Sequence, residues 1–144
     1  MADQHEGGCV CGAVRFVTRG DPERVTVCHC TWCQRRTGSA FGVEAVFKPE
    51  NVSFHGEAPR VYRHISDESG RWLEQEFCPI CGANLGMTLE AVPGIRTIAT
   101  GAFDDPSWIS PDKYSFRYVY MRSAQDWSRA PEGAKTYEMH FRKS

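Results

Sequence analysis

Along residues 9–18 apolar and polar positions alternate, with Val10, Val14 and Phe16 on one face and Cys9, Cys11, Ala13 and Val17 on the other. A two-residue period is that of a β-strand. The same pattern gives strands over residues 25–30, 40–47, 60–65, 71–77, 85–89, 95–100, 114–122 and 136–142. Turn formers separate them: Lys48-Pro49-Glu50-Asn51, Ser69-Gly70, Pro93-Gly94, Asp104-Asp105-Pro106 and Pro131-Glu132-Gly133. Many short strands at this spacing predict a mainly β domain. One short helix is expected near residues 32–37. There Thr31-Trp32-Cys33-Gln34 has the capping-box form, with Thr31 as N-cap, Gln34 reaching back to it and Gly38 as the stop. The polar, Gly-rich residues 1–8 are expected to be loose, leaving residues 9–144 as a single domain.

Composition narrows the function classes. Seventeen Lys and Arg against eighteen Asp and Glu give a net charge of -1, without the basic footprint of a general nucleic-acid binder. At 41% hydrophobic and 24% charged residues the chain reads as globular. Residues 77–89 form its longest uncharged stretch, below the roughly 18 residues that suggest a membrane span. The start, Met1-Ala2-Asp3-Gln4-His5-Glu6, has neither the basic nor the apolar segment of a signal peptide. A soluble cytoplasmic protein without membrane contact is expected. A homodimer is left open.

Seven cysteines stand at positions 9, 11, 28, 30, 33, 78 and 81. Clustered thiols in a reducing compartment point to metal ligands rather than disulfides. In a strand, residues i and i+2 share a face, so Cys9 with Cys11 and Cys28 with Cys30 each present a pair to one ion. Cys78-Pro79-Ile80-Cys81-Gly82 has the Cys-x-x-Cys spacing and the following Gly of a zinc knuckle. A structural zinc takes four ligands and a catalytic one keeps three with a vacancy. Seven thiols divide as four plus three: Cys28, Cys30 and Cys33 around one ion, and Cys9, Cys11, Cys78 and Cys81 around another. A ribbon of Cys30/Cys33 with Cys78/Cys81 is the rival partition, and spacing does not choose between them.

The three-thiolate set has distinctive electrostatics. Zn²⁺ with three thiolates carries a net -1, poor for making hydroxide from water and better suited to a soft sulfur ligand. Cys33 in a first helical turn has its thiol pKa lowered by the dipole. Arg35 and Arg36 add positive charge or form a solvated surface pair. His29, pointing away from its neighbours Cys28 and Cys30, reads as a packed or hydrogen-bonded side chain. Trp32 lies between two ligands and beside the vacancy. Ser39 and Thr37 follow closely enough to hydrogen-bond a substrate, although hydroxyls at a helix end usually satisfy backbone groups.

Gly7-Gly8-Cys9-Val10-Cys11-Gly12-Ala13-Val14-Arg15-Phe16, Cys28-His29-Cys30-Thr31-Trp32-Cys33-Gln34-Arg35-Arg36-Thr37-Gly38-Ser39-Ala40-Phe41-Gly42 and Phe77-Cys78-Pro79-Ile80-Cys81-Gly82-Ala83-Asn84-Leu85 together resemble the glutathione-dependent formaldehyde-activating enzyme (Gfa) family. Centromere protein V shares this domain. Asp104-Asp105-Pro106-Ser107-Trp108 is similar to a further family segment. The resemblance implies a β-tent fold of small zinc-stabilised antiparallel sheets and two zinc ions per chain. The structural one falls to Cys9, Cys11, Cys78 and Cys81, the catalytic one to Cys28, Cys30 and Cys33. It also implies carbon–sulfur lyase activity, the formation or cleavage of S-(hydroxymethyl)glutathione. Many relatives have a His-Ile-aromatic run where this chain reads Tyr114-Ser115-Phe116, which implies a different thiol adduct if that His handles substrate. Trp127 stands where a late family Trp is expected.

Two functional classes follow. An enzyme would take a glutathione-like thiol at the vacancy beside an aldehyde, with Arg35, Arg36 or Arg15 pairing the thiol's carboxylates. A non-catalytic module would use both zincs as clips and bind a partner on its surface, and a glutathione carrier would bind without accelerating a reaction. The aromatic residues Trp72, Trp108, Trp127, Phe103 and Phe116 are expected mainly in the core.

Overall fold

The computed structural model describes residues 3–140. Its strands are β1 (Gln4–Gly8), β2 (Val14–Arg19), β3 (Arg24–Cys28), β4 (Gly42–Phe47), β5 (Val52–Gly56), β6 (Arg60–Ile65), β7 (Trp72–Phe77), β8 (Asn84–Leu89), β9 (Arg96–Ala99), β10 (Phe116–Val119) and β11 (Lys135–Thr136), and its α-helix is α1 (Thr31–Thr37). The protein is mainly β. No described helix is long and apolar enough to cross a membrane.

Two sheets form. The small one has the order β1-β2-β5, and the large one the order β11-β10-β3-β4-β9-β8-β7-β6. All pairings are antiparallel except β10 with β3 and β11 with β10. The period-2 pattern of β2 buries Val14, Phe16 and Thr18 fully. These join Val25, Ala45, Phe47, Leu85, Ile98 and Phe103 in one core between the sheets, with Phe16 edge-on to Phe103 at 5.2 Å between ring centres. A bulge brings Leu85 into that core. Glu76 pairs with Gly86 and Phe77 with Asn84, so Leu85 is the extra residue.

The opposite face of the large sheet carries the remaining chemistry. Register aligns Arg24 with Val46, Thr97 and Met87 across four strands, and Thr26 with Glu44. Leu73 aligns with Leu89 on one side and His64 on the other. All of these line one cavity.

Several expected elements differ. Residues 4–8 form β1 rather than a loose lead. Gly7 is small because a Cβ there would stand 2.3 Å from the Ala102 carbonyl oxygen and 2.4 Å from the Phe16 ring, so the glycine permits close packing and is no sign of looseness. Residues 9–13 form a turn, not a strand. It is closed by Cys9 N–H to Val14 O at 3.1 Å and Gly12 N–H to Cys9 O at 3.2 Å, and it needs the positive φ of 80° at Gly12. Val52–Gly56 is a strand the apolar pattern does not reveal, since only Val52 and Phe54 alternate with polar residues. The strand expected over 114–122 stops at Val119 because Tyr120 turns left-handed. Of the described residues 136–140, only Thr136 belongs to a strand, and residues 141 and 142 of that expected strand lie outside the described residues.

Candidate metal centres

The turn before β2 and the turn between β7 and β8 bring Cys9, Cys11, Cys78 and Cys81 together, with all four sulfurs within 4.8 Å of one another. Cys9 and Cys11 are separated by 3.6 Å, and Cys11 and Cys78 by 3.8 Å. A tetrahedral ion with Zn–S bonds of about 2.3 Å has sulfur–sulfur edges of about 3.8 Å, so the four thiols fit such an ion. Backbone amides already serve the sulfurs: Val14 N–H donates to Cys9 Sγ at 3.3 Å and Ile80 N–H to Cys78 Sγ at 3.3 Å. Burial raises the Cys9 pKa, but Val14 N–H and the thiols of Cys11 and Cys78 outweigh it and lower the value. The Ala83 and Cys11 amides bring Cys81 down to about 6. At Cys11 the Ala13 amide is outweighed by burial and the three neighbouring sulfurs, which push it up to about 11. Four adjacent thiolates repel one another, and a divalent cation relieves that repulsion.

The second cluster is Cys28, Cys30 and Cys33, again with all sulfurs within 4.8 Å. Cys28 ends β3, and Cys33 is buried in the first turn of α1. Cys30, not Thr31, is the N-cap: its Sγ accepts the Cys33 N–H at 3.2 Å. A thiolate takes the capping role that a hydroxyl was expected to fill. Gly38 ends the helix with φ of 67°, and its N–H donates to Gln34 O, as its sequence position implies. Gln34 does not reach back to Thr31. Its Nε2 donates to His29 O at 2.8 Å and Ser123 O at 2.9 Å, tying the helix to the chain beyond β10. Hydrogen bonds from Cys28 and Cys33 bring Cys30 to about 3, and the same sharing with Cys30 pushes Cys28 well up. Cys33 is not lowered as its place in the helix suggested: the hydrogen bond with Cys28 is outweighed by the sharing with Cys30 and by burial, which push it up to about 12. This donor set, three soft thiols with one already favouring the thiolate, fits a soft divalent ion with a vacancy.

His29 turns away from the cluster as alternation predicts. It is 1% exposed, packed on Phe41 at 5.2 Å, with Nε2 3.5 Å from Ser128 Oγ.

The three-cysteine cluster opens into a cavity of about 720 Å³. Trp32 lines it, stacked on His64 at 5.0 Å with the rings 7° apart. Arg36 also lines it, but not as a surface residue. Its side chain is 2% exposed and pairs with the buried Glu44 at 2.9 Å. Arg35 and Ser39 are exposed and lie outside the lining, so neither meets this cavity. Thr37 Oγ1 donates to Cys33 O at 2.8 Å, the backbone role expected of a hydroxyl at a helix end. Arg15 is committed elsewhere, with Nη1 2.9 Å from Asp104 Oδ1. Tyr114 lies away from the cluster, packed on Trp108 and donating to Asp21 Oδ1 at 3.0 Å, outside the lining of this cavity. Trp127 is 73% exposed, not core.

The cavity wall also holds residues the sequence reading passed over: Glu44, His64, Tyr120 and the ion pair Glu68–Arg122. Only Glu44 leaves a trace in the sequence, as the lone acid in Val43-Glu44-Ala45-Val46-Phe47. Tyr120 has a positive φ of 56°, rare outside glycine, and its hydroxyl donates to Glu68 Oε2 at 3.3 Å.

A family model for the glutathione-dependent formaldehyde-activating enzyme matches residues 4–121, a span that includes all seven cysteines. The chain belongs to that family. A crystal structure of a Rhodobacter sphaeroides protein shares the fold, with a TM-score of 0.54 at 16% identity over 92% of this chain and 98% of the other. The family is associated with glutathione-dependent formaldehyde activation. In this Gfa member the matched span ends at Met121, so Arg122, Ser123 and His140 of the cavity wall lie beyond it.

Proposed function

We propose that the chain is a zinc-dependent carbon–sulfur lyase that forms or cleaves a thiol–aldehyde adduct of the S-(hydroxymethyl)glutathione type. The observation that carries this reading is the asymmetry of the two cysteine clusters. One has four converging sulfurs, and the other has three converging sulfurs at the wall of a large cavity. Cys9, Cys11, Cys78 and Cys81 would hold a structural zinc, and Cys28, Cys30 and Cys33 a catalytic one. An ion held by three thiolates supplies a position for a soft sulfur and favours its thiolate form.

In the synthetic direction the substrate sulfur forms a bond to the aldehyde carbon. The carbon–oxygen π pair moves onto oxygen, and the thiol proton ends on that oxygen. The reverse step breaks the same bond and returns the proton. Formaldehyde is reactive without activation, so alignment is the main requirement, and holding two reactants together supplies up to roughly 7–11 kcal/mol. Arg24 and Arg71 line the cavity, and arginine suits the two carboxylates of glutathione; Arg122 also lines it but is engaged by Glu68. Arg24 and Arg71 replace Arg35 and Arg15 as candidates. Trp32 and His64 provide a flat wall. Tyr120 lines the cavity, its Oη donating to Glu68 Oε2 at 3.3 Å, and is the candidate relay: it gives its proton to the developing alkoxide and recovers the one the thiol releases.

The test is Cys28→Ser with formaldehyde and glutathione, following exchange between hydrate and adduct by NMR. The wild type should exceed the spontaneous rate, and the variant should fall back to it. A variant as fast as wild type defeats the catalytic reading. A wild type that binds glutathione but leaves the rate unchanged would make it a carrier.

A further inference from the structure

We propose that Arg36 and Glu44 are a positioning pair for the three-cysteine centre, in which the guanidinium seats the Cys33 sulfur and the carboxylate fixes the guanidinium. The inference rests on the proposed reading that Cys28, Cys30 and Cys33 hold an ion. Arg36 Nη2 lies 3.5 Å from Cys33 Sγ and 2.9 Å from Glu44 Oε1. The side chains are 2% and 5% exposed, so the pair sits where water cannot substitute for either partner. A buried ion pair is a poor source of stability, because desolvation offsets its attraction, and its presence here calls for another role.

The fold makes room for it. A Cβ on Gly42 would stand 2.4 Å from Arg36 Nη2, 3.2 Å from its Cζ and 3.6 Å from Cys33 Cβ. Gly42 is the register partner of Cys28 and shares a strand face with Glu44, two residues on. The same stretch of β4 therefore provides the gap that admits the guanidinium and the carboxylate that anchors it. From the other side the Arg36 Cζ lies 5.2 Å from the Trp32 ring centre. The buried carboxylate holds the guanidinium, and the Nη2 it holds is the atom that meets the sulfur. An N–H donated to a thiolate ligand holds that ligand in place and draws electron density from it. Groups in this outer position commonly change metal affinity 10–100-fold when replaced.

The test loads the full chain with Co²⁺ and compares wild type with Arg36→Lys, Arg36→Gln and Glu44→Gln, using Cys28→Ser to assign which signals belong to which cluster. Wild type should take up two ions. The variants should keep the four-cysteine ion at wild-type affinity, an internal sign that they are folded. In chelator competition they should lose about 10–100-fold in affinity at the three-cysteine centre. The thiolate-to-cobalt absorption of that centre should also shift. Arg36→Lys should not restore it, because the lysine Nζ sits one bond short of the Nη2 that meets both partners. Wild-type affinity and absorption in Glu44→Gln and Arg36→Gln overturn the pair, as does parallel loss at both centres. A wild-type chain that takes up one ion overturns the proposed function and the pair with it.

Discussion

Gly86 stands where β8 pairs with β9, opposite Ile98. A Cβ there would meet the Thr97 carbonyl oxygen at 2.0 Å and its carbonyl carbon at 2.9 Å. Both are backbone atoms in a paired strand, so no flexible side chain can move aside. Gly86→Ala should therefore destabilise the protein by about 1–3 kcal/mol, the range for overpacking a well-filled interior. Urea denaturation of the metal-loaded protein measures it, and an unchanged midpoint would show that β8 shifts freely. Tyr120 is the complementary case. A left-handed conformation is normally costly for a side chain, and the ring is kept at the cavity by Glu68 and by Arg122, whose Cζ lies 5.8 Å from the ring centre.

At the scale of elements, what the sequence makes legible depends on whether the signal is local. The Cys-x-x-Cys knuckle, the Gly38 stop and the strand over residues 60–65 match their expectations, since spacing, turn chemistry and alternation are properties of a few adjacent residues. The sulfurs are grouped four and three, a grouping that spacing left open and the family resemblance implied. What misleads is local pattern overridden by pairing. Alternation over residues 9–13 looks like a strand, yet that segment is the turn that delivers Cys9 and Cys11. The Gly7-Gly8 pair looks loose, yet it is held against Phe16 and Arg15 in β1. Arg36 looks exposed until its partner, eight residues away on β4, is known. The Arg15–Asp104 pair, which clamps β2 to the segment after Phe103, gives a pH prediction of its own. The Arg15 hydrogen bond lowers the Asp104 pKa below its ordinary 3.8. A carboxylate with a depressed folded-state pKa adds stability above the unfolded value and loses it as pH falls through the folded one. The stability difference between wild type and Asp104→Asn should accordingly be present at neutral pH and close below about pH 4. A difference that stays constant across that range would show that the clamp adds no pH-dependent stability.

For the molecule as a whole the two cysteine clusters are unequal in reach. Cys28, Cys30 and Cys33 lie within five positions of one another, on a strand end and the helix that follows. Cys9 and Cys81 are about seventy residues apart, and their cluster fastens the β1–β2 turn of the small sheet to the β7–β8 turn of the large one. Two of its members, Cys9 and Cys78, belong to the shared core at 8% and 0% exposure. Closing the longer loop removes about 2 kcal/mol more chain entropy from the unfolded state than closing the shorter one, on a logarithmic dependence on length. The ion that closes it is therefore linked to the global fold, whereas the other is linked to one helix turn facing a cavity. Stepwise chelation should separate them. The first equivalent should leave the three-cysteine centre with the far-ultraviolet circular dichroism unchanged, and the second should leave with cooperative loss of the β signal. A first equivalent that unfolds the chain, or a four-cysteine ion that departs with both sheets intact, would place the structural burden on the other cluster and reverse the division of labour between them.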